Sequence, residues 1–319
     1  HVIPDNKYFN DAIMTGLKGV EDGKIVTFGI NPTRPETGYG YLKVEKSHIN
    51  PKSVMSFVEK PDEDLATKML KEGNYLWNSG IFLFRAKDMI TAFNSFAKDM
   101  LSLVQKSLDM SEVDLGFTKL NSYFWSELED ISIDYAIMEK AKNLVAIPYN
   151  SSWSDLGNWD SVWRESKRDQ HGVALSKNAH AIECRNSILR SESNSQEIVG
   201  LGLKDIVAIT TPDAVLIANK NKSQDVKKVV EHLKSKKISQ SEIFTKDHRP
   251  WGYFEVLSEG VSFKVKRISV KPGASLSLQS HRHRSEHWVV VHGSAVVTID
   301  ESVKVIDVGQ STYIPLGSK

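Results

Sequence analysis

The first 165 residues alternate between short apolar runs and amphipathic stretches. Val26-Thr27-Phe28-Gly29-Ile30, Tyr41-Leu42-Lys43-Val44 and Val54-Met55-Ser56-Phe57-Val58 read as strands. Pro61-Asp62-Glu63 predicts a helix start, with proline in the first turn and acids at the positive end of the dipole, and Gly73 is its stop. Ile81-Phe82-Leu83-Phe84 is a continuous apolar run of the kind found in buried strands. Helical spacing follows near 87–107, at Ile133–Lys142 and at Asp160–Lys167, with a further strand at Val145–Pro148. Strands alternating with helices predict an α/β layer fold.

The pattern changes after about residue 170. Over 171–220 short apolar pieces (Ala181-Ile182, Ser187-Ile188-Leu189, Val207-Ala208-Ile209, Val215-Leu216-Ile217) are separated by Asn, Ser and Gly, which predicts a small β subdomain rich in turns. No solenoid repeat stands out. Val226, Val229, Val230 and Leu233 then fall on one face of an amphipathic helix, and a polar stretch completes a helix-and-linker segment over 221–246. From 247 to 319 the pattern is all-β, with strands such as Phe263–Ile268, Trp288–Val291 and Ala295–Ile299 between Gly, Pro and Asp turns. The expected organisation is therefore 1–170, 171–220, 221–246 and 247–319.

Composition narrows the function classes. The 319 residues are 40% hydrophobic and 25% charged, as in an ordinary globular chain, and Lys+Arg 41 against Asp+Glu 40 leaves a net charge of +1. No one-sided charge field points to nucleic acid or to a membrane surface. No apolar run approaches a membrane span, and no basic-then-apolar signal pattern is present. The single cysteine, Cys184, excludes an intramolecular disulfide and a cysteine-based zinc site, which fits a reducing, cytoplasmic setting.

Four short segments of the first region carry candidate chemistry. In Phe57-Val58-Glu59-Lys60-Pro61 a carboxylate and an ammonium end a strand, the position where ligands bind in open α/β sheets. Lys60 is a suitable point charge for a phosphate and Glu59 an acceptor for sugar hydroxyls, against the competing reading of a solvated ion pair. Pro32-Thr33-Arg34-Pro35-Glu36-Thr37-Gly38-Tyr39-Gly40-Tyr41 is a turn-rich loop whose glycines allow a ligand close to the backbone, or simply an ordinary surface loop. Trp77-Asn78-Ser79-Gly80 offers the polar Asn78 before an apolar run, or a plain turn. In Trp153-Ser154-Asp155-Leu156-Gly157-Asn158-Trp159-Asp160, Asp155 lies among aromatics and glycine as a candidate Mg²⁺ ligand, with a helix cap as the alternative.

The last region holds Gln279-Ser280-His281-Arg282-His283-Arg284-Ser285-Glu286-His287-Trp288. On a strand His281 and His283 would face one side, and a turn would bring Glu286 or His287 alongside. Such donors suit Zn²⁺ or another divalent transition metal. The competing reading is a basic, hydrogen-bonding strand pair.

Order and spacing of these segments change the picture. The series GYGY, FVEKP, NSGIFLF, SIDYAIMEK and WSDLGNW resembles the hexose-1-phosphate nucleotidylyltransferases, and most closely the mannose-1-phosphate guanylyltransferases, over about 1–235. The resemblance implies a Rossmann-like nucleotidyltransferase domain that joins GTP and mannose 1-phosphate with Mg²⁺. It implies that Lys60 holds the sugar phosphate, that Glu59, Gly40 and Asn78 line the sugar, and that Asp155 coordinates the metal. Asp134 and Glu139 match family positions, with a structural role equally open. Asp247-His248-Arg249-Pro250-Trp251-Gly252-Tyr253-Phe254 is similar to the start of type II mannose-6-phosphate isomerase domains, and the histidine segment resembles the first cupin motif. The His-to-acid interval is one residue short at Glu286 and normal at His287, so both stay candidates. Gln279, His281 and His283 are the other candidate ligands, mannose 6-phosphate is the implied substrate, and Arg284 would serve its phosphate or the transition state.

The family's glycine-rich phosphate loop has no counterpart here, and its second metal aspartate would lie immediately before His1. The second cupin motif fits Gly309, Pro315 and Gly317, which places its metal histidine just after Lys319. The expectation is a portion of a longer, homo-oligomeric bifunctional enzyme. Two alternatives stand beside it: a non-catalytic regulator that binds a sugar phosphate or nucleotide, and an isomerase whose front domain is scaffold.

Overall fold

The apolar runs of the first region become the centre of a five-stranded ring. In the computed structural model, which describes residues 1–193 and 195–319, Ile25–Ile30 runs parallel to Leu144–Tyr149 and antiparallel to Tyr75–Leu83. Tyr41–Val44 lies between Tyr75–Leu83 and Lys52–Val58, and Lys52 and Ser53 close the ring opposite Ala146 and Val145. Alternation along the strands sends side chains to two sides. Val26, Phe28, Val145, Ile147 and Tyr149 join one apolar cluster, and Ile25, Leu144 and Ala146 join the other. Each fully buried Ile, Leu or Phe contributes about 1.5–3 kcal/mol relative to exposure. The α/β reading of this region therefore stands, although only one strand pair of the ring is parallel.

Several local expectations are corrected. The helix Asn6–Glu21 went unread; Asp5 caps it by accepting from the Tyr8 amide. Its Gly16 and Gly19 disguise it as a breaker-rich stretch, yet a Cβ on either would lie 3.1–3.2 Å from Val26. These glycines let the helix approach the central strand. Trp77-Asn78-Ser79-Gly80, read as the polar start of a strand or as a plain turn, lies inside the nine-residue strand Tyr75–Leu83. The helical stretch near 87–107 is two helices, Ala86–Phe96 and Lys98–Asp109, broken where Ala97 takes an extended φ of −146°. Ile133–Lys142 forms only a π-helical turn, Asp134–Met138. The Pro61-led helix forms as read, over Glu63–Glu72, capped by Asp62 and stopped by a left-handed Gly73.

The turn-rich segment is a short parallel β-helix, which overturns the reading that no repeat is present. Ala179 pairs with Ile198, Arg185 with Lys204 and Ile188 with Val207, a constant offset of 19 residues. The left-handed corners repeat too, at Glu183 and Gly202 and at Asn186 and Asp205. One offset shared by so few coils, filled by different apolar residues, leaves no visible period in the sequence. Val215–Asn219 closes the stack antiparallel to Ile206–Thr210, and the 3₁₀ turn Lys220–Asp225 follows. Lys220 is buried there, with its ammonium 3.1 Å from the centre of the Trp163 ring and 2.7 Å from Asn186 Oδ1. Burial lowers its pKa below the usual lysine value. The helix Trp159–Glu165 is thus tied to the β-helix by a cation–π contact. The amphipathic helix Val226–Ser235 forms as read but buries none of its residues.

The chain divides into two compact units, His1–Ser111 with Leu120–Thr245, and Glu112–Lys119 with Lys246–Lys319. In the second, the hairpin of Glu112–Asp114 and Phe117–Lys119 belongs with an antiparallel sheet of Lys246–Arg249, Gly252–Glu259 and Lys264–Val270. Glu286–Val289 pairs with Ser311–Ile314, and Ala295–Ile299 with Ser302–Ile306. The polar stretch read as linker up to 246 contains a single 3₁₀ turn, Ser239–Ser241. Among the described residues no helix is long and apolar enough to cross a membrane.

Candidate active site

Strand ends bring the first group of predicted residues together. Beyond Val58 the chain turns sharply, because Lys60 takes a left-handed φ of 47° before Pro61. A non-glycine residue held there marks a place where the fold imposes strain, a feature that clusters at functional sites. The turn puts the Lys60 ammonium 2.6 Å from the Glu59 carboxylate, whose side chain is only 6% exposed while that of Lys60 is 51% exposed. The lysine head is thus both oriented and available, and its hydrogen bond to Glu59 raises its pKa despite partial burial. Gly40 faces this pair: a Cβ there would lie 2.5 Å from Glu59 Oε2, so a larger residue would have to displace the Glu59 carboxylate.

Asn78 completes the group from the neighbouring strand. Its backbone N–H donates to the Gly40 carbonyl at 2.7 Å, and its buried side chain accepts from Thr27 Oγ1 at 2.9 Å and donates to Asp134 Oδ1 at 3.2 Å. Asp134 comes from the π turn. Burial and then the nearby Glu59 charge raise its pKa, opposed by Lys60. Glu139 Oε1 accepts from the Glu59 amide at 3.1 Å. Both acids that the sequence left open therefore stand against Glu59, Lys60 and Asn78.

The second group forms around Asp155. Its Oδ1 accepts from the Tyr39 hydroxyl and from the Gly157 amide, each at 3.0 Å, and Leu156 beyond it is left-handed with φ 55°. Tyr39 is 8% exposed, and burial followed by the Asp155 charge raises its pKa well above the usual tyrosine value. Trp77 and Trp153 pack edge-on against the Tyr39 ring at 5.2 and 5.3 Å. A small cavity opens beside them, lined among others by Arg34, Tyr39, Trp77, Trp153 and Arg164. Val2 pairs with Ser154 through mutual backbone bonds of 2.8 and 3.2 Å, which lays the His1 end beside Asp155. Tyr39 and Gly40 are consecutive, so one loop holds the Asp155 group with one residue and the Lys60 group with the next.

A magnesium ion fits the Asp155 group on chemistry. The ion takes oxygen donors and usually one or two protein carboxylates. Among the described residues Asp155 Oδ2 accepts no hydrogen bond, while Oδ1 is held by two donors. An oriented carboxylate with one free oxygen suits a hard cation.

Four further residues escaped the sequence reading. Glu36 is 9% exposed and receives Arg34 at 2.7 Å, the Gly38 amide at 3.2 Å and the Gln224 side-chain amide. Arg34 lies over the Trp77 ring at 5.1 Å. With Tyr39, these residues form the underside of the loop. The glycines of that loop drew attention in the sequence; Arg34 and Glu36 before them, Tyr39 between them and the distant Gln224 carried no separate signal.

In the second unit the predicted metal-binding strand does not form. His281 and His283 lie in an irregular bend before the strand Glu286–Val289, so strand alternation does not align them. His281 Nε2 sits 3.1 Å from Glu286 Oε1, and Arg284 reaches both, at 2.7 and 3.0 Å. Burial pushes the Glu286 carboxyl up, but hydrogen bonds from Trp288 and Arg284 and the His281 charge leave it below the usual value. His287 takes the opposite strand face, its ring 6.5 Å from that of Tyr313. Gln279 and His283 are exposed and join neither. Among the described residues no three His, Cys, Asp or Glu side chains are gathered for a metal. Of the five predicted donors, His281 and Glu286 alone converge. Imidazole plus carboxylate suits a divalent ion, and the Arg284 guanidinium provides the positive charge between them here. The His281 carbonyl also accepts from the Gly317 amide at 2.9 Å, which joins the two cupin-like segments.

Comparison with known proteins places these groups in context. A nucleotidyl transferase family model matches residues 1–172, a MannoseP isomerase/GMP-like beta-helix domain model matches 177–233, and a mannose-6-phosphate isomerase C-terminal model matches 236–319. The xanthan biosynthesis protein XanB of Xanthomonas campestris pv. campestris is 42% identical over 317 residues, covering 99% of this chain and 67% of its own. A mannose-1-phosphate guanylyltransferase of Escherichia coli is 39% identical over 323 residues, covering 100% and 67%. The chain belongs to the mannose-1-phosphate guanylyltransferase family. It spans about two thirds of the length of these curated relatives. The alginate biosynthesis protein AlgA of Pseudomonas fluorescens is 40% identical over 321 residues, covering 100% and 66%. A solved structure described as mannose-1-phosphate geranyltransferase from Thermus thermophilus superposes with a TM-score of 0.60 at 28% identity, covering 73% of this chain and 67% of that one. In this guanylyltransferase-family chain, Gly40, Glu59, Lys60, Asn78, Asp134 and Asp155 all fall within the nucleotidyl transferase match, and His281, Arg284 and Glu286 within the isomerase match.

Proposed function

We propose that this protein transfers GMP from GTP to mannose 1-phosphate, giving GDP-mannose and pyrophosphate, and that its C-terminal unit interconverts mannose 6-phosphate and fructose 6-phosphate. A phosphate oxygen of mannose 1-phosphate attacks the α-phosphorus of GTP, the bond to the β-phosphate oxygen breaks, and pyrophosphate leaves with its electron pair. Such a reaction asks the protein mainly for positioning and charge stabilisation. Lys60 holds the sugar phosphate, and Glu59 keeps its ammonium aimed outward. Glu59 and Asn78 accept and donate to sugar hydroxyls over the bare backbone at Gly40. Asp155, oriented by Tyr39, would hold Mg²⁺, which supplies screening of the triphosphate charge when bound. The observation that carries the reading is the single loop whose Tyr39 and Gly40 join Asp155 to the Glu59–Lys60–Asn78 group.

In the C-terminal unit, His281 and Glu286 would hold a divalent ion that polarises the substrate carbonyl when bound. Arg284, beside His281 and Glu286, would bind the substrate phosphate. A cytoplasmic, homo-oligomeric enzyme is the setting we propose; the single buried Cys184 supports a reducing compartment. The purified intact protein should release pyrophosphate from GTP only when Mg²⁺ and mannose 1-phosphate are both present. His281→Ala should remove isomerase activity and bound metal, measured by coupled assay and elemental analysis, while guanylyl transfer stays within about twofold of wild type. Parallel loss of both activities would contradict the separation into two sites.

A further inference from the structure

The side chain of Gln224 lies far from the proposed site in sequence, yet its two polar atoms grip the loop that forms it. The residue sits in the 3₁₀ turn Lys220–Asp225 that closes the β-helix. Its amide nitrogen donates to Glu36 Oε1, and its carbonyl oxygen accepts from Thr37 Oγ1 at 3.3 Å. Glu36 passes the constraint on. Its carboxylate accepts from the Gly38 amide at 3.2 Å and from Arg34, while its own amide donates to the Tyr41 hydroxyl at 2.9 Å. Gly38 leaves no slack: a Cβ there would stand 3.3 Å from Glu36 Oε1 and 3.4 Å from Gln224 Nε2. The next two residues are Tyr39, which donates to Asp155, and Gly40, which lies on Glu59.

The base of this clamp is itself held firmly. Four residues before Gln224, Lys220 is anchored on Trp163 and Asn186, the latter a corner of the β-helix. The Glu36 carboxylate is almost fully buried, so removing the Gln224 amide, one of the two donors that hold its Oε1, is costly. We infer that Gln224 is a positioning residue: through Glu36 it fixes the Thr37–Gly40 backbone, and with it the mannose 1-phosphate subsite. This rests on the guanylyl-transfer reading above. The β-helix thereby acts on the reaction without touching substrate, and the discriminating effect falls on the sugar phosphate because Gly40 lines that side.

The test is steady-state kinetics on the intact protein with Gln224→Ala, Gln224→Glu and the exchange Glu36→Gln/Gln224→Glu. Gln224→Glu sets two carboxylates against each other, and Gln224→Ala leaves the Gly38 amide as the one remaining donor to Glu36 Oε1 among the described residues. Both should raise KM for mannose 1-phosphate by about 5–20-fold, at or below the low end of the roughly 10–100-fold carried by a direct hydrogen bond to a charged group, because Gln224 acts through Glu36. KM for GTP and the melting temperature should change little. The exchange rebuilds a carboxylate–amide pair and should recover most of the loss. Wild-type kinetics in both single variants, or equal rises in both KM values together with a lowered melting temperature and no recovery in the exchange, would overturn the inference. Absence of turnover in the wild type itself would instead defeat the guanylyl-transfer reading.

Discussion

Asp155→Asn should reduce kcat for pyrophosphate release by about 100-fold or more, the cost typical of removing one electrostatic contact to a charged transition state. The substitution keeps the size of the side chain and an oxygen that can accept from the Tyr39 hydroxyl and the Gly157 amide. The loop Trp153–Asp160 therefore keeps its shape, and the change removes charge alone. The measurement is kcat as a function of Mg²⁺ concentration at saturating GTP and mannose 1-phosphate. The variant should need more Mg²⁺ and still not reach the wild-type rate, with an unchanged melting temperature. An unaltered Mg²⁺ profile would show that Asp155 holds no ion and serves as a turn residue.

Lys60→Ala should raise KM for mannose 1-phosphate by about 10–100-fold and leave KM for GTP unchanged. A hydrogen bond to a charged group contributes about 1.5–3 kcal/mol, and each 1.4 kcal/mol is tenfold. The loss has a second source. Glu59, with a side chain 6% exposed, would face the phosphate dianion without its counter-ion. Adding Glu59→Gln to Lys60→Ala removes that repulsion and should return part of the affinity, which separates the lost attraction from the exposed acid. Initial rates over a mannose 1-phosphate series at fixed GTP decide it. Equal KM values for Lys60→Ala and wild type would remove Lys60 from the phosphate subsite.

Local patterns predicted most of the elements that carry the site. Ile25–Ile30, Tyr41–Val44 and Leu144–Tyr149 are buried strands with largely apolar runs, and the Glu63–Glu72 helix has its cap and its glycine stop. Gly40, Glu59, Lys60 and Asp155 sit at strand ends or in tight turns, where short motifs are visible, and Asn78 stood out as a polar residue beside an apolar run. What stayed hidden depends on long-range packing. The helix Asn6–Glu21 presents glycines to the central strand, so close approach looks like helix breaking. The β-helix repeats its left-handed corners at Glu183 and Gly202 through different residue types, so backbone geometry recurs where sequence does not. Glu36 and Gln224 meet across most of the first unit, and no local spacing can announce such a pair. The histidine segment erred in the other direction. The i, i+2 spacing of His281 and His283 aligns them only on a strand, whereas Arg284 folds back on His281 and Glu286 and the strand begins only at Glu286.

Guanylyl transfer to a sugar phosphate is decided by product analysis of the intact protein. With GTP, Mg²⁺ and mannose 1-phosphate, GDP-mannose and pyrophosphate should form in equal amounts, and omission of any one component should stop both. Binding of GTP or mannose 1-phosphate without either product, or pyrophosphate release that does not depend on the sugar phosphate, would exclude guanylyl transfer.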